Sequence, residues 1–462
     1  MKWMGVLLWL AALPALALDL HGIAPGTVAV WAAPVEGDAV FAEHRADVAM
    51  NPASTMKLLT SWVALTRLKP DYTWLTTLAS TAVQDDATLR GDLYWIGSGD
   101  PRFYRDRLAA LLAQLRERGI RRIQGRLLLD TGAFSALGAA DGFDADEGRS
   151  FMTPPSAVLT NLNAAWLHFY VDGGGARAVL DPPLAGVKLE TALRVAAPAP
   201  CGDVRRYVRV DVSDALIRVH GALPPSCDGN QTYVTPLPPD AFAAAAFIGL
   251  WQASGGEGPA GWGSGRAPPD ARALAQQRSD PLARILPDMN KYSSNPMARL
   301  LFLTIGRSGG GSDTPRDAAA LERRTLVEAG IDDGGLVLEN GAGLSRRERL
   351  SARQLGEVLR AAARGPYAGD FLASLPAAGE EGTLRHRFGE LGARLRLKTG
   401  TLDGVRALAG YWLAPDGRRL ALVAIVNAAD AERDKPALDA VVRDLVQRFA
   451  SYNGSVGVAA GH

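Results

Sequence analysis

The sequence predicts an α/β (α+β) multidomain protein. An antiparallel sheet flanked by helices is begun near residue 20, interrupted, and completed after about residue 270. Three observations carry that prediction. At 462 residues the chain exceeds what one hydrophobic core usually holds. An apolar helix over 51–68 leaves little polar face and reads as buried, and three strands over 391–426 joined by short turns read as an antiparallel meander. Between them the pattern over 158–234 is β, with Val208, Val210 and Val212 alternating with Arg209 and Asp211 as in a strand with one wet face.

At the N-terminus, Lys2, the apolar run 6–16 and the small-residue pattern Ala15-Leu16-Ala17 predict a cleaved signal peptide over 1–17. The apolar run is short for a bilayer span, and no later stretch looks transmembrane. The expectation is an exported, periplasmic protein, with at most peripheral membrane association. Two strands over 27–33 and 40–48 lead into the helix at 51–68. Pro52 suits its entry and Lys69-Pro70 its end. Strands follow at 75–83, 88–96 and 122–130, with a helix at 104–118. Gly97-Ser98-Gly99-Asp100-Pro101 forms a tight corner. Residues 142–152 are acidic and irregular.

After the β region come a helix at 240–253 and a Gly/Pro-rich flexible loop at 255–269. Helices are predicted at 270–290, after Asn295, at 315–330 and at 351–363. Strands at 391–398, 406–413 and 418–426 make an antiparallel meander. A helix at 439–450 and a frayed tail at 451–462 close the chain. The expected domains are 18–68 with 270–450, interrupted by 69–269, within which 97–157 forms a separate subdomain.

Composition excludes several functions. Apolar residues make up 47% and charged residues 21%, which fits a folded globular chain. A formal net charge of +1 gives no electrostatic basis for a nucleic-acid partner. Two cysteines and six scattered histidines lack metal-ligand spacing, so neither metal nor cofactor is expected. Cys201 and Cys227 fit an oxidising compartment, where a disulfide closing that interval stabilises by roughly 3 kcal/mol in the chain-entropy model.

Three short motifs carry chemistry. Ser54 and Lys57 lie one turn apart on a single helix face. A serine hydroxyl is a poor nucleophile until a base takes its proton, and a desolvated lysine amine, or one beside a second cation, can do that. Ser293-Ser294-Asn295 sits between helices, and Lys398-Thr399-Gly400-Thr401 ends a strand. Each is commonplace alone. Their order, contexts and co-occurrence match the motif set of penicillin-binding proteins and serine β-lactamases. Lys398 supplies the neighbouring cation and a carboxylate anchor. Ser293 relays a proton to a leaving amine, and Asn295 holds Lys57 and a substrate amide. Gly400 admits a ligand backbone, Thr399 and Thr401 offer hydroxyls, and the Ser54 and Thr401 N–H groups form an oxyanion hole.

With NPASTMKLLT, GSGDP, MNKYSSNPMA, ENGAGLSRRERLS, SLPAAGEEGTLRHRF and RLKTGTLDGVRALAGYW, the chain resembles the class C low-molecular-mass penicillin-binding proteins, of the penicillin-binding protein 4 type and peptidase family S13. The resemblance runs over nearly the whole mature chain. It implies a penicilloyl-serine transferase-like domain (the DD-peptidase/β-lactamase type) with a mainly β two-part insertion after the nucleophile helix. It also implies D-Ala-D-Ala carboxypeptidase and DD-endopeptidase activity on peptidoglycan stem peptides and crosslinks, with β-lactam antibiotics as acylating ligands. Ser294 departs from the family's usual Asp or Asn at that position. An acid from the insertion reads a diaminopimelate amine in the family, and counting back from Met152 suggests Asp146. The rival readings are a serine β-lactamase and a non-catalytic cell-wall-binding protein.

Overall fold

The protein's structure, a computed structural model, describes residues 18–137, 140, 142–146, 149–173 and 175–451. The signal peptide expected over 1–17 and the tail beyond Ser451 lie outside the described residues. The central sheet is antiparallel throughout. Its order is Leu395–Leu402, Val405–Leu413, Arg419–Asn427, Val28–Pro34 and Ala42–His44. Alternation explains why its strands read as unbroken apolar runs: both faces are buried. Val28, Val30, Leu397, Leu408, Leu422 and Val426 face a core filled by the Lys435–Ser451 helix. Ala29, Trp31, Ala407, Ala409, Val423 and Ile425 face the opposite core, which holds the Met56–Arg67 and Ala352–Arg364 helices. The helix-facing alanines leave room for that layer. Gly356 does the same, since a Cβ there would lie 2.0 Å from the Trp31 ring.

The intervening region has its own core. A five-stranded mixed sheet runs in the order Trp262–Ser264, Leu127–Asp130, Leu93–Ile96, Leu75–Ser80 and Arg272–Arg278. The Arg105–Glu117 and Pro239–Ala253 helices bury apolar residues in the same core. Two three-stranded sheets follow, Gly175–Asp181/Ala165–Asp172/Gln231–Val234 and Lys188–Val195/Leu216–Leu223/Val208–Ser213. A disulfide joins Cys201 to Cys227.

Three expectations are corrected. The stretch 270–290 is not one helix: Arg272–Arg278 is a strand, and only Leu282–Lys291 is helical. Ala273, Leu274, Ala275 and Gln276 are reasonable helix formers. Pairing with Leu75–Ser80 overrides that propensity, and Ser279-Asp280-Pro281 separates the two elements. The Gly/Pro-rich stretch 255–269 contains the strand Trp262–Ser264, held in parallel register against Leu127–Leu129. Ser451 belongs to the last helix rather than to a tail.

Candidate active site

The chain enters the Met56–Arg67 helix through a single 3-10 turn, Ala53–Thr55, which carries Ser54. Asn51 organises this entry. Its Oδ1 accepts from the Ala53 N–H at 2.9 Å and its Nδ2 donates to the Ser345 carbonyl at 2.8 Å, while Asn427 clasps its backbone on both sides. Ala53 sits at φ 45°, a left-handed backbone that an alanine occupies only when its surroundings enforce it. Part of that enforcement is Gly343, where a Cβ would meet the Ala53 carbonyl oxygen at 1.9 Å.

Lys57 is fully buried directly behind Ser54. Its Nζ lies 2.9 Å from Ser54 Oγ and 2.7 Å from Asn295 Oδ1, and it also contacts the Ala342 carbonyl. These three partners fix the chemistry. An ammonium would donate to all three, but a neutral amine has two N–H bonds and one lone pair. Asn295 Oδ1 and the Ala342 carbonyl can only accept. The lone pair therefore falls to Ser54, the one partner with a proton to give. Burial is the main cause that holds Lys57 well below the usual lysine range; the Lys398 cation adds to it, and Glu348 opposes it. Burial and the neighbouring cation both shift Lys57 towards the neutral amine, whose lone pair is aimed at the serine proton.

Lys398 is the second buried lysine. It donates to Ser293 Oγ at 2.8 Å and to the Thr399 carbonyl at 2.7 Å, and desolvation lowers it to about 7. Ser293 is held at φ 58°, and Ser294 caps the Asn295–Ser308 helix by accepting from the Met297 N–H. The Ser293–Asn295 segment therefore joins both lysines: Ser293 to Lys398 and Asn295 to Lys57. Along the Leu395–Leu402 strand, Lys398 and Gly400 turn to the side that carries Ser54. A Cβ on Gly400 would lie 2.6 Å from the Pro52 carbonyl oxygen, so this strand packs directly on the turn that carries Ser54. Thr399 and Thr401 line a cavity of about 270 Å³ at the sheet end, with Arg387, Arg406 and Lys435.

Asp146 ends a single 3-10 turn, and its carboxylate pairs with Arg149 at 3.1 Å. Among the described residues it has no recorded bond to Ser54, Lys57, Ser293, Asn295 or Lys398. Its loop does reach the site: the Phe151 carbonyl accepts from Asn295 Nδ2 at 3.3 Å. Among the described residues, no group of three or more His, Cys, Asp or Glu is placed to hold a metal ion.

Several contributors were missed from sequence. Glu348 is fully buried and accepts from the backbone N–H groups of Glu339 and Asn340 at 3.1 and 3.0 Å. Asn340 Oδ1 in turn accepts from the Ala342 N–H at 3.0 Å, and Ala342 presents its carbonyl to Lys57. This relay sits in Glu339-Asn340-Gly341-Ala342-Gly343, and neither it nor Glu348 is marked by a periodic pattern or a spacing that assigns it a role.

The profile of the D-Ala-D-Ala carboxypeptidase 3 (S13) family matches residues 10–447. A D-alanyl-D-alanine carboxypeptidase of Actinomadura sp. (strain R39) is 30% identical over 458 residues, covering 94% of this chain and 82% of that protein. The crystal structure of penicillin binding protein 4 (dacB) from Haemophilus influenzae superposes with a TM-score of 0.73 at 25% identity, covering 92% of this chain and 96% of that one. The structure of that protein complexed with a β-lactam gives 0.69 at 24% identity, with the same coverage.

Proposed function

The chain belongs to the D-Ala-D-Ala carboxypeptidase 3 (S13) family and is a serine carboxypeptidase hydrolase; from that premise we propose that it is an exported DD-peptidase of peptidoglycan working through an acyl-enzyme on Ser54. The observation that carries this reading is the partner set of Lys57, which leaves the amine lone pair for the Ser54 hydroxyl. Lys57 takes the serine proton as Ser54 Oγ bonds to the carbonyl carbon of the penultimate D-Ala. The carbonyl oxygen becomes an oxyanion held by the Ser54 and Thr401 N–H groups, which the close packing of Gly400 on Pro52 supports. Collapse breaks the C–N bond. Ser293 gives its proton to the departing amine and is resupplied from Lys398, its 2.8 Å partner. A water molecule then adds to the ester carbonyl, passing its proton through Ser293 back to Lys398, and Ser54 takes its proton from the Lys57 ammonium as it leaves.

Lys398 also anchors the terminal carboxylate in this reading, assisted by the hydroxyls of Thr399 and Thr401. Asp146 reads a cationic side chain on the stem peptide. Crosslinks are cleaved by the same steps, because the acyl donor is again D-Ala. Penicillins acylate Ser54 because their strained amide stands in for the scissile bond; the β-lactam complex of the Haemophilus protein supports this.

The test is release of D-Ala from an N-acylated pentapeptide ending in D-Ala-D-Ala, and cleavage of a crosslinked muropeptide. Both activities are expected to vanish in Ser54→Ala. Activity that survives that substitution refutes the proposal, and rapid penicillin turnover without peptide cleavage would favour the β-lactamase reading.

A further inference from the structure

The three-stranded sheet Gly175–Asp181/Ala165–Asp172/Gln231–Val234 buries one face and leaves the other open. Leu167, Phe169 and Val171 point into the core of the inserted region. Alternation then puts Trp166, His168 and Tyr170 on the outer face. Across the strand pair, Trp166 stands opposite Tyr233 and His168 opposite Gln231. Such a face is ordinarily built from short polar or charged side chains. Here Trp166 is 37% exposed and Tyr233 is 40% exposed. Their ring centroids are 5.8 Å apart at 76°, so the pair forms a ledge and a wall rather than a flat plate. Arg205 backs Tyr233 at 5.1 Å, and Arg177 covers Tyr170 at 5.0 Å.

One short loop links this face with the active site. The Ser150 hydroxyl approaches the Tyr233 hydroxyl at 3.4 Å. The next residue, Phe151, offers its carbonyl to Asn295, the partner of Lys57. One step along the chain therefore separates the residue that touches the aromatic ledge from the residue that touches Asn295.

We propose that this outer sheet face is the docking surface for the glycan strand that carries the scissile peptide. The proposal rests on the peptidoglycan reading above. A sugar chain has apolar C–H faces and a rim of hydroxyl and acetamido groups. Partly exposed tryptophan and tyrosine rings suit the C–H faces, and they lose little rotamer freedom on binding. Gln231 and His168, in the next cross-strand row, suit the polar rim. Tyr233 lies at the cleft end and Trp166 beyond it, so a strand laid along this path would bring its stem peptide down at Ser150.

The test uses the full chain carrying Trp166→Ala and Tyr233→Ala together. Both side chains are partly exposed, so the fold should hold; unchanged thermal melting and unchanged acylation by benzylpenicillin verify that independently. D-Ala release from a sugar-free pentapeptide should stay within about twofold of the parent. Co-sedimentation of the Ser54→Ala protein with purified sacculi should weaken by roughly tenfold when the two rings are removed, the scale of losing two aromatic contacts. Turnover of glycan-linked substrate should fall in parallel. Equal losses on the free pentapeptide and on glycan-linked substrate would overturn the proposal, as would undiminished binding to sacculi. Failure of penicillin acylation in the unsubstituted protein would instead refute the catalytic reading, and the sedimentation measurement would still decide the glycan site.

Discussion

Asn295→Asp isolates the protonation state of Lys57. The substitution is nearly isosteric and places a carboxylate oxygen where Asn295 Oδ1 now stands, 2.7 Å from Nζ. At an effective dielectric of about 20, a unit charge there attracts an ammonium by about 6 kcal/mol, a ceiling that ignores the cost of burying the new carboxylate. Opposite charges this close shift a pKa by roughly 1–3 units in practice. The direction is upward, because the carboxylate favours the ammonium. Only the amine can accept the Ser54 proton, so the acid limb of the acylation profile must move to higher pH by roughly 1–3 units. Asn295→Ala is the contrast: it removes an acceptor, adds no charge, and slows the plateau without an upward shift. The assay is the pseudo-first-order rate of benzylpenicillin adduct formation, read by intact-protein mass spectrometry across a pH series. An acid limb in Asn295→Asp that stays in place, or moves down, would refute the assignment of Lys57 as base.

Gly400→Ala puts a Cβ 2.6 Å from the Pro52 carbonyl oxygen and 2.9 Å from Ala407 Cβ. It should cost roughly 1–3 kcal/mol in chemical denaturation and slow acylation more than tenfold; parental behaviour in both would show that the strand need not touch the nucleophile turn. Glu322 is fully buried, and desolvation lifts its carboxyl from 4.5 to about 8. An acid raised in this way contributes its full stability only below about 4.5 and loses it as pH climbs towards 8. Glu322→Gln cannot ionise, so it should raise stability by up to a few kcal/mol near pH 8 and give no gain near pH 4; equal melting shifts at both pH values would contradict this.

Where sequence and structure agree, the signal is periodic or punctuated. The buried helix over 56–65 was legible because its apolar residues leave little polar face, and the last three strands because both their faces are buried. The site motifs were legible because Ser54 and Lys57 need only helix geometry to meet. Their contacts with Asn295 and Ala342 bridge separations of more than two hundred residues, which spacing cannot supply. The strand Arg272–Arg278 was misread because its composition suits a helix and its partner, Leu75–Ser80, is distant in sequence. Glu348 was missed because burial of a charged residue depends on the whole packed loop, where two backbone N–H groups hold it.

The most direct measurement is the intact mass of the protein after brief exposure to benzylpenicillin. A lasting adduct of one drug mass is expected on the parent and none on Ser54→Ala. An adduct that persists in Ser54→Ala, or a parent that neither gains mass nor consumes the drug, would contradict Ser54 as the nucleophile.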